Sequence, residues 1–177
     1  MIETERLLLR NWREGDADAF IAHTNTPAVM RWLGGVKEPD YLRRTIERLT
    51  AWQEERGFTL WAAERKEDSA MLGFCGLKIS NDPGSPVEGE YEIAWRLRED
   101  AWGRGYAKEA ATAVLDFAFE RLCAERVVAL TVDGNIPSWG LMKRLGMTRR
   151  PELDYTGAEW AEGTVIVYDI ARESRRG

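Results

Sequence analysis

The sequence predicts an α/β fold in which helices flank one mixed sheet. Segments that alternate apolar and polar residues with a period of two are interspersed with segments that have a helical period. Residues 90–98 and residues 107–122 are the clearest examples of the two patterns. A length of 177 residues suits one domain with a sizeable core, and no repeat or linker divides the chain. We therefore expect a single domain over residues 1–177.

The N-terminal part of the chain contains one strand followed by helices. In order, the patterns predict a strand over residues 4–11, a helix that begins near Asp16, a short helix over residues 28–33 and a longer helix over residues 40–56. Asp16 is of the residue type that caps helix N-termini. Pro39 suits the first turn of the longer helix, whose apolar residues recur on one side.

The middle of the chain predicts a β-hairpin and then a central strand. Residues 58–63 and Met71–Ile79 are two apolar runs joined by a short charged loop. Residues 81–89 are rich in turn-forming residues and lead into the strand over residues 90–98. In that strand Trp95 lies on one face and Glu92 on the other.

The C-terminal part completes the sheet. After the helix over residues 107–122, Arg126–Val132 is almost entirely apolar, which favours a buried strand. Pro137 fits the first turn of a helix that Gly146 ends. A short strand begins near Met147, residues 149–163 form a connection, and residues 164–170 form the last strand.

A glycine-containing turn joins the central strand to its helix. The sequence from Trp102 to Ala107 reads WGRGYA, and its two glycines allow backbone conformations closed to other residues. A strand, a glycine turn and a helix N-terminus together form an anion site, because the first amides of a helix have no carbonyl partner. A tight turn without a ligand explains the same glycines. Lys108 occupies the place of the third small residue of a Rossmann fingerprint, and the Gly-Lys-Ser/Thr of a P-loop is absent.

Composition excludes several classes of protein. The net charge of −5 argues against broad nucleic-acid binding and mildly favours a basic substrate. No apolar run approaches a membrane span, and the apolar stretch of the N-terminus is too short for a signal peptide. We expect Cys75 and Cys123 to be reduced core residues of a cytoplasmic protein. His23 is the only histidine, so we expect no metal site.

The order and spacing of the motifs resemble one known superfamily. The chain contains EIAWRL, WGRGYAKEA, then Asn135-x-x-Ser138 and residues 143–147 (KRLGM), with TERLLLRNWREGDADAF at the start and TVIVYDI near the end. This combination resembles the GNAT superfamily of acetyl-CoA-dependent N-acetyltransferases, and within it the branch of the ribosomal-protein N-terminal acetyltransferases. The resemblance covers essentially the whole chain.

The resemblance implies a mixed, mostly antiparallel sheet of about six or seven strands with a splayed parallel pair. Acetyl-CoA would lie between the strands over residues 90–98 and Arg126–Val132. The residues implied to bind it, all near that opening, are Trp95, Arg96, Leu97, Gly103, Arg104, Gly105, Tyr106, Ala107, Lys108, Asn135 and Ser138. Trp95, Arg96 and Leu97 would bond the pantetheine arm through their backbone, and the amides from Gly103 to Lys108 would hold the pyrophosphate. The resemblance implies that the Asn135 side chain bonds the same arm.

The catalytic residues are less well defined by the resemblance. Many members carry a tyrosine seven residues after the asparagine as general acid, and Met142 stands at that position here. Ser138, implied to lie near the thioester sulfur, is our candidate acid, with solvent as the alternative. Glu92 is our candidate base, although a salt-bridged strand residue explains it equally well. Glu90 is the next candidate, and Tyr168 is expected to be a packed aromatic.

We therefore expect an acetyltransferase that acts on a primary amine, such as a protein N-terminus or a small cationic amine. The missing tyrosine at Met142 keeps open a non-catalytic acyl-CoA-binding regulatory domain on the same fold. An unrelated interaction module, in which the glycine turn is only structural, is the third alternative. A homodimer is expected only because dimers are common in the superfamily.

Overall fold

A computed structural model describes residues 1–175 of the chain. Its strands are β1 (Ile2–Glu3), β2 (Leu7–Arg10), β3 (Leu60–Arg65), β4 (Met71–Ile79), β5 (Tyr91–Leu97), β6 (Arg126–Val132), β7 (Thr148–Arg149), β8 (Tyr155–Thr156) and β9 (Thr164–Ala171). Its α-helices are α1 (Asp16–Thr24), α2 (Pro27–Met30), α3 (Pro39–Arg56), α4 (Tyr106–Glu120) and α5 (Ile136–Arg144). Three short 3₁₀-helices cover Glu99–Ala101, Pro151–Leu153 and Arg172–Arg175.

The strands form one sheet that is antiparallel everywhere except at its centre. The order is β1-β2-β3-β4-β5-β6-β9-β7, and β8 also pairs with β9. Within residues 1–175, β5 and β6 are the only neighbouring strands that run parallel. The mixed, mostly antiparallel sheet with one parallel pair is thus confirmed.

The parallel pair parts soon after it forms. Tyr91 pairs with Val127 and Glu92 pairs with Val128, and the register ends there although both strands continue. On its other edge β5 is paired with β4 along its whole length, as β6 is with β9. Each strand is therefore held from outside while the inner edges separate.

Helices cover both faces of the sheet and enclose separate cores. On one face α4 buries a stripe of small and aliphatic residues against the strands, which is why alanines recur at helical spacing in its sequence. On the other face α1 and α3 pack over a smaller cluster that includes Phe20, Ile46 and Phe74. Side chains that alternate along β5 consequently enter different environments.

Several local expectations were wrong in detail. The strand predicted over residues 4–11 is shorter and contains only β2, because Thr4 lies in a turn where its amide donates to the Leu7 carbonyl at 3.0 Å, and β1 lies before the predicted range. The N-cap of α1 is Gly15, at φ 87, and not Asp16. The Asp16 carboxylate is instead buried against the Arg10 guanidinium at 2.6 Å.

The sheet also contains more strands than the six or seven expected, and one of the two cysteines lies at the surface and not in the core. The nine strands include three of only two residues, which are too short to leave a periodic pattern in the sequence. Cys75 is buried as expected, whereas Cys123 is exposed, and neither forms a disulfide.

Candidate functional site

The opening between β5 and β6 belongs to one large cleft of about 1910 Å³. Residues 92–97 of β5 line one side, and Leu130 and Thr131 of β6 line the other. The cleft continues to the first turns of α4 and α5, and across to α2 and α3. It is large enough for two substrates to meet within it.

The start of α4 presents free backbone amides to this cleft. Gly105 is the N-cap, in the left-handed region at φ 82, and its carbonyl accepts the first helical hydrogen bond, from the Glu109 amide at 3.0 Å. The amides of Tyr106, Ala107 and Lys108 therefore have no partner in the helix. These three residues line the cleft together with both glycines of the turn, so the geometry of an anion site is present.

Arg104, by contrast, does not line the cleft. Its carbonyl accepts a hydrogen bond from Arg6 at 3.0 Å, and the Arg6 guanidinium also pairs with Glu109 and lies 4.5 Å from the centre of the Tyr106 ring. Thr4 donates to the same Glu109 carboxylate at 2.6 Å. This clamp joins the N-terminal segment to the glycine turn. It has no local sequence signal, because its partners lie about a hundred residues apart.

Trp95, Arg96 and Leu97 lie on the separated part of β5 and line the cleft. The Trp95 side chain packs against the core under α4. Arg96 points to the opposite face, towards Phe20 and Phe74. The Leu97 carbonyl already accepts a hydrogen bond from the Trp102 indole at 2.9 Å, so only the rest of this edge is free for a ligand.

Asn135 and Ser138 flank the other side of the cleft. Asn135 is the N-cap residue of α5, yet its side chain caps nothing. Within residues 1–175 neither the Asn135 amide nor the Ser138 hydroxyl forms a side-chain hydrogen bond, and both residues line the cleft. Met142, one turn beyond Ser138, is buried and supplies no polar group at the cleft wall. Two polar side chains are thus available to a ligand.

Glu92 is a buried carboxylate at the point where β5 and β6 part. It is 6% exposed and lies opposite Lys78 on β4, with Oε2 3.1 Å from Nζ. Burial raises the pKa of the Glu92 carboxyl, the Lys78 charge opposes this effect, and nearby Asp82 adds to it. A carboxyl in such surroundings takes and releases a proton closer to neutral pH than an exposed one.

The other candidate bases are engaged elsewhere. Glu90 pairs with Arg126 at 2.5 Å and does not line the cleft. Tyr168 is buried in the main core, with the Arg149 guanidinium over its ring. Of the carboxylates considered from the sequence, Glu92 alone borders the cleft.

A wall near Glu92 was not predicted from the sequence. The Asp82 carboxylate accepts hydrogen bonds from the Tyr155 hydroxyl at 2.6 Å and the Trp160 indole at 2.9 Å. Burial raises the pKa of the Tyr155 hydroxyl, and the Asp82 charge adds to the effect. These contacts fix the connection before β9 against the loop before β5, and they close one side of the cleft.

Among residues 1–175, no group of histidine, cysteine, aspartate and glutamate side chains is arranged to hold a metal ion. None of the helices described combines the length and the apolar composition that a membrane crossing requires.

Comparison with known proteins identifies the fold and the family. Residues 6–148 match the family model described as "Acetyltransferase (GNAT) domain". The uncharacterized protein YkkB of Bacillus subtilis is 32% identical over 145 residues, which cover 81% of this chain and 83% of that protein.

Solved structures share the fold at lower identity. A structure described as a putative ribosomal-protein-serine acetyltransferase from Vibrio cholerae superposes with a TM-score of 0.78 at 19% identity, covering 96% of each chain. The microcin C7 self-immunity acetyltransferase MccE, solved with acetyl-CoA and AMP, superposes with a TM-score of 0.75 at 12% identity, covering 94% of this chain and 93% of the other. The fold, the family model and the relative agree, and the chain belongs to the GNAT acetyltransferase family.

Proposed function

We propose that this protein transfers the acetyl group of acetyl-CoA to a primary amine. The observation that carries the proposal is that β5 and β6 part beside the amide-rich start of α4, within one cleft. A thin thioester arm fits between separated strands, and a diphosphate fits unpaired amides at the positive end of a helix. MccE, which has the same fold, was solved with acetyl-CoA.

The cofactor-binding roles follow from which groups are free. The amides between Gly103 and Lys108 hold the diphosphate, and the Lys108 ammonium adds charge next to it. The unbonded Asn135 amide and the free edge of β5 bind the pantetheine arm. Arg104 does not line the cleft, so we assign its side chain no direct contact with the ligand. It contributes its backbone amide, and its positive charge acts from a distance.

The catalytic roles follow from the position and environment of two side chains. Acetyl-CoA supplies an acyl thioester. Glu92, directly or through a water molecule, accepts the proton of the attacking amine, which is mostly protonated in solution near neutral pH. An N–H group on the free edge of β5 donates to the carbonyl oxygen as negative charge develops there. As the bond from nitrogen to the acetyl carbon forms and the carbon–sulfur bond breaks, Ser138 donates a proton to the departing sulfur and regains one from solvent.

The test is the release of free CoA thiol from acetyl-CoA when amines are added to the purified protein. N-terminal peptides, polyamines, amino acids and aminoglycosides form the panel, and product mass confirms acetylation. We expect at least one class to release thiol above the background without an amine. Tight binding of acetyl-CoA with no release by any class would instead favour the non-catalytic acyl-CoA-binding domain, which Met142 suggests.

The setting of the reaction is inferred from the sequence. We propose that the protein works in the cytoplasm as a single domain over residues 1–177 and takes its acceptor from solution. A homodimer stays a prediction, which light scattering of the purified protein tests directly.

A further inference from the structure

Arg96 is a cation inside the cleft without an anionic partner. Other arginines on the strands of the sheet form ion pairs, for example Arg10 with Asp16 and Arg126 with Glu90. Across residues 1–175, the Arg96 guanidinium forms no hydrogen bond and no ion pair, and its Nε atom is fully enclosed. Its Cζ lies 5.6 Å from the centre of the Phe20 ring and 5.4 Å from that of Phe74.

This arrangement leaves the enclosed Nε–H group of a half-buried guanidinium without a hydrogen-bond partner. Burial lowers the pKa of Arg96 to about 10, against a smaller opposing effect of the Tyr41 hydroxyl. The two rings attract the cation but accept no hydrogen bond from it, and of its five N–H donors the Nε–H is the one that is fully enclosed. Buried charges in proteins are normally paired with an opposite charge. The missing partner is therefore expected to arrive with a ligand.

The position of Arg96 indicates that this ligand is the acceptor amine and not acetyl-CoA, because Arg96 shares a face of β5 with the candidate base Glu92. Arg96, Ala94 and Glu92 lie on one face of β5, opposite the face of Trp95, and all border the cleft. Tyr41 of α3, 48% exposed, borders the same cleft. Arg96 thus lies four residues along the strand from Glu92, the candidate base. Their Cα atoms are separated by about 13 Å.

We propose that the acceptor is an amine that also carries an anionic oxygen group, a carboxylate or a phosphate, and that Arg96 binds this group. The proposal rests on the proposed function and names its substrate class. The forked donors of arginine match the geometry of both anions. The small side chain of Ala94 leaves room for the acceptor to extend from Glu92 to Arg96. Such an acceptor is zwitterionic, unlike the cationic amine expected from the net charge of the chain.

The test compares amines that differ only in the anionic group. Lysine with cadaverine and tyrosine with tyramine test the carboxylate, and O-phosphoethanolamine with ethanolamine tests the phosphate. The readout is kcat/KM for CoA release with the full-length protein. We expect the anionic member of at least one pair to be preferred by about 10- to 100-fold, and the type of pair identifies the anion.

Variants assign the preference to Arg96. Arg96→Met keeps the apolar stem and should reduce the preference to about twofold or less, while Arg96→Lys should keep part of it. Arg44→Met is the matched control, since it removes an exposed charge on α3 outside the cleft, and it should keep the whole preference. If Arg96→Met does not fold, the preference for the anionic member of each pair can still be measured with the unmodified protein, and it still tests the proposal.

The outcomes separate this inference from the proposed function. If no member of any pair is acetylated, and the wider amine panel fails as well, the proposed function is overturned and this inference with it. If amines are acetylated but both members of every pair react equally well, only the inference is overturned. The same holds if a preference exists and survives in a folded Arg96→Met protein, because Arg96 would then serve only to pack against its two rings.

Discussion

Glu90 and Glu92, two residues apart at the centre of the sheet, have different surroundings. Glu90 lies just before β5, where Arg126 pairs with it in a half-exposed setting. Glu92 lies where the strands part, so it is buried, borders the cleft and has Lys78 as its charged neighbour. Only Glu92 combines access to a substrate with surroundings that raise the pKa of its carboxyl.

Glu92→Gln removes the proton acceptor and keeps the shape of the side chain. We expect kcat/KM to fall by about 10²- to 10⁴-fold, with the affinity for acetyl-CoA retained, because Glu92 lies before the part of β5 assigned to the cofactor. Steady-state kinetics and calorimetric titration measure the two effects. Glu90→Gln is the control, expected to change kcat/KM by less than about tenfold. Equal losses in both variants would remove Glu92 from the base role.

The same carboxyl makes stability depend on pH in a defined direction. Its pKa is higher in the folded protein than the value of about 4.3 in an unfolded chain. As pH rises above that value, the unfolded chain ionises first, so the native protein loses stability until pH passes the folded pKa. Relative to the unmodified protein, Glu92→Gln should therefore gain in Tm as pH is raised from about 4 to 8. A constant difference in Tm over this range would contradict the raised pKa.

At the scale of elements, α1 and α4 both begin after a glycine N-cap, but the space around the two glycines differs. Both have a glycine N-cap in the left-handed region, Gly15 at φ 87 and Gly105 at φ 82. A Cβ on Gly15 would meet open space, whereas one on Gly105 would lie 3.3 Å from Nη2 of Arg6. A side chain at 105 therefore strains the backbone and disturbs the Arg6 clamp.

Gly105→Ala and Gly15→Ala form a matched pair. Each should lower the free energy of unfolding by about 1–2 kcal/mol, the cost of a left-handed conformation for a residue with a Cβ. Only Gly105→Ala should weaken acetyl-CoA binding as well, because its turn orients the amides of α4. Chemical denaturation and calorimetric titration give the two readouts. An unchanged dissociation constant in Gly105→Ala would mean that the turn does not bind the diphosphate.

The N-terminus of α5 allows a second contrast between binding and stability. The Asn135 side chain is unbonded in the described part of the chain, whereas Asn25 bonds both the amide and the carbonyl of Lys37, at 2.9 and 2.7 Å. Asn135→Ala should raise the dissociation constant for acetyl-CoA by about 2- to 10-fold and leave Tm nearly unchanged.

Asn25→Ala should do the reverse, with a lower Tm and an unchanged affinity for acetyl-CoA, because its bonds lie within the protein. Thermal unfolding and titration of both variants make the comparison. A loss of Tm in Asn135→Ala without a loss of affinity would show that the side chain serves the fold and not the ligand.

For the whole molecule, strong periodic patterns predicted the sheet and α4 well. Met71–Ile79 and Arg126–Val132 begin and end where their apolar runs do, because burial on both faces leaves a continuous signal. The short strands and the folded connection before β9 gave no such signal. They depend on partners far away in sequence, such as Asp82 for Trp160.

The site was predictable only in part for the same reason. The turn around Gly105 and the polar pair Asn135 and Ser138 could be located from motif order, since the motifs lie next to strand and helix ends. The Arg6 clamp and the unpaired state of Arg96 could not, because both follow from packing between distant segments. The resemblance implied that Arg96 binds the cofactor through its backbone, and the unpaired side chain is the basis of the separate role that we propose for it.

A crystal structure of the protein with acetyl-CoA tests the central claim most directly. We expect the diphosphate oxygens within hydrogen-bond distance of the amides between Gly103 and Lys108. The pantetheine arm should lie between the parted ends of β5 and β6, with the thioester near Ser138. A ligand bound elsewhere, or β5 and β6 paired along their full lengths around an empty turn, would contradict the account.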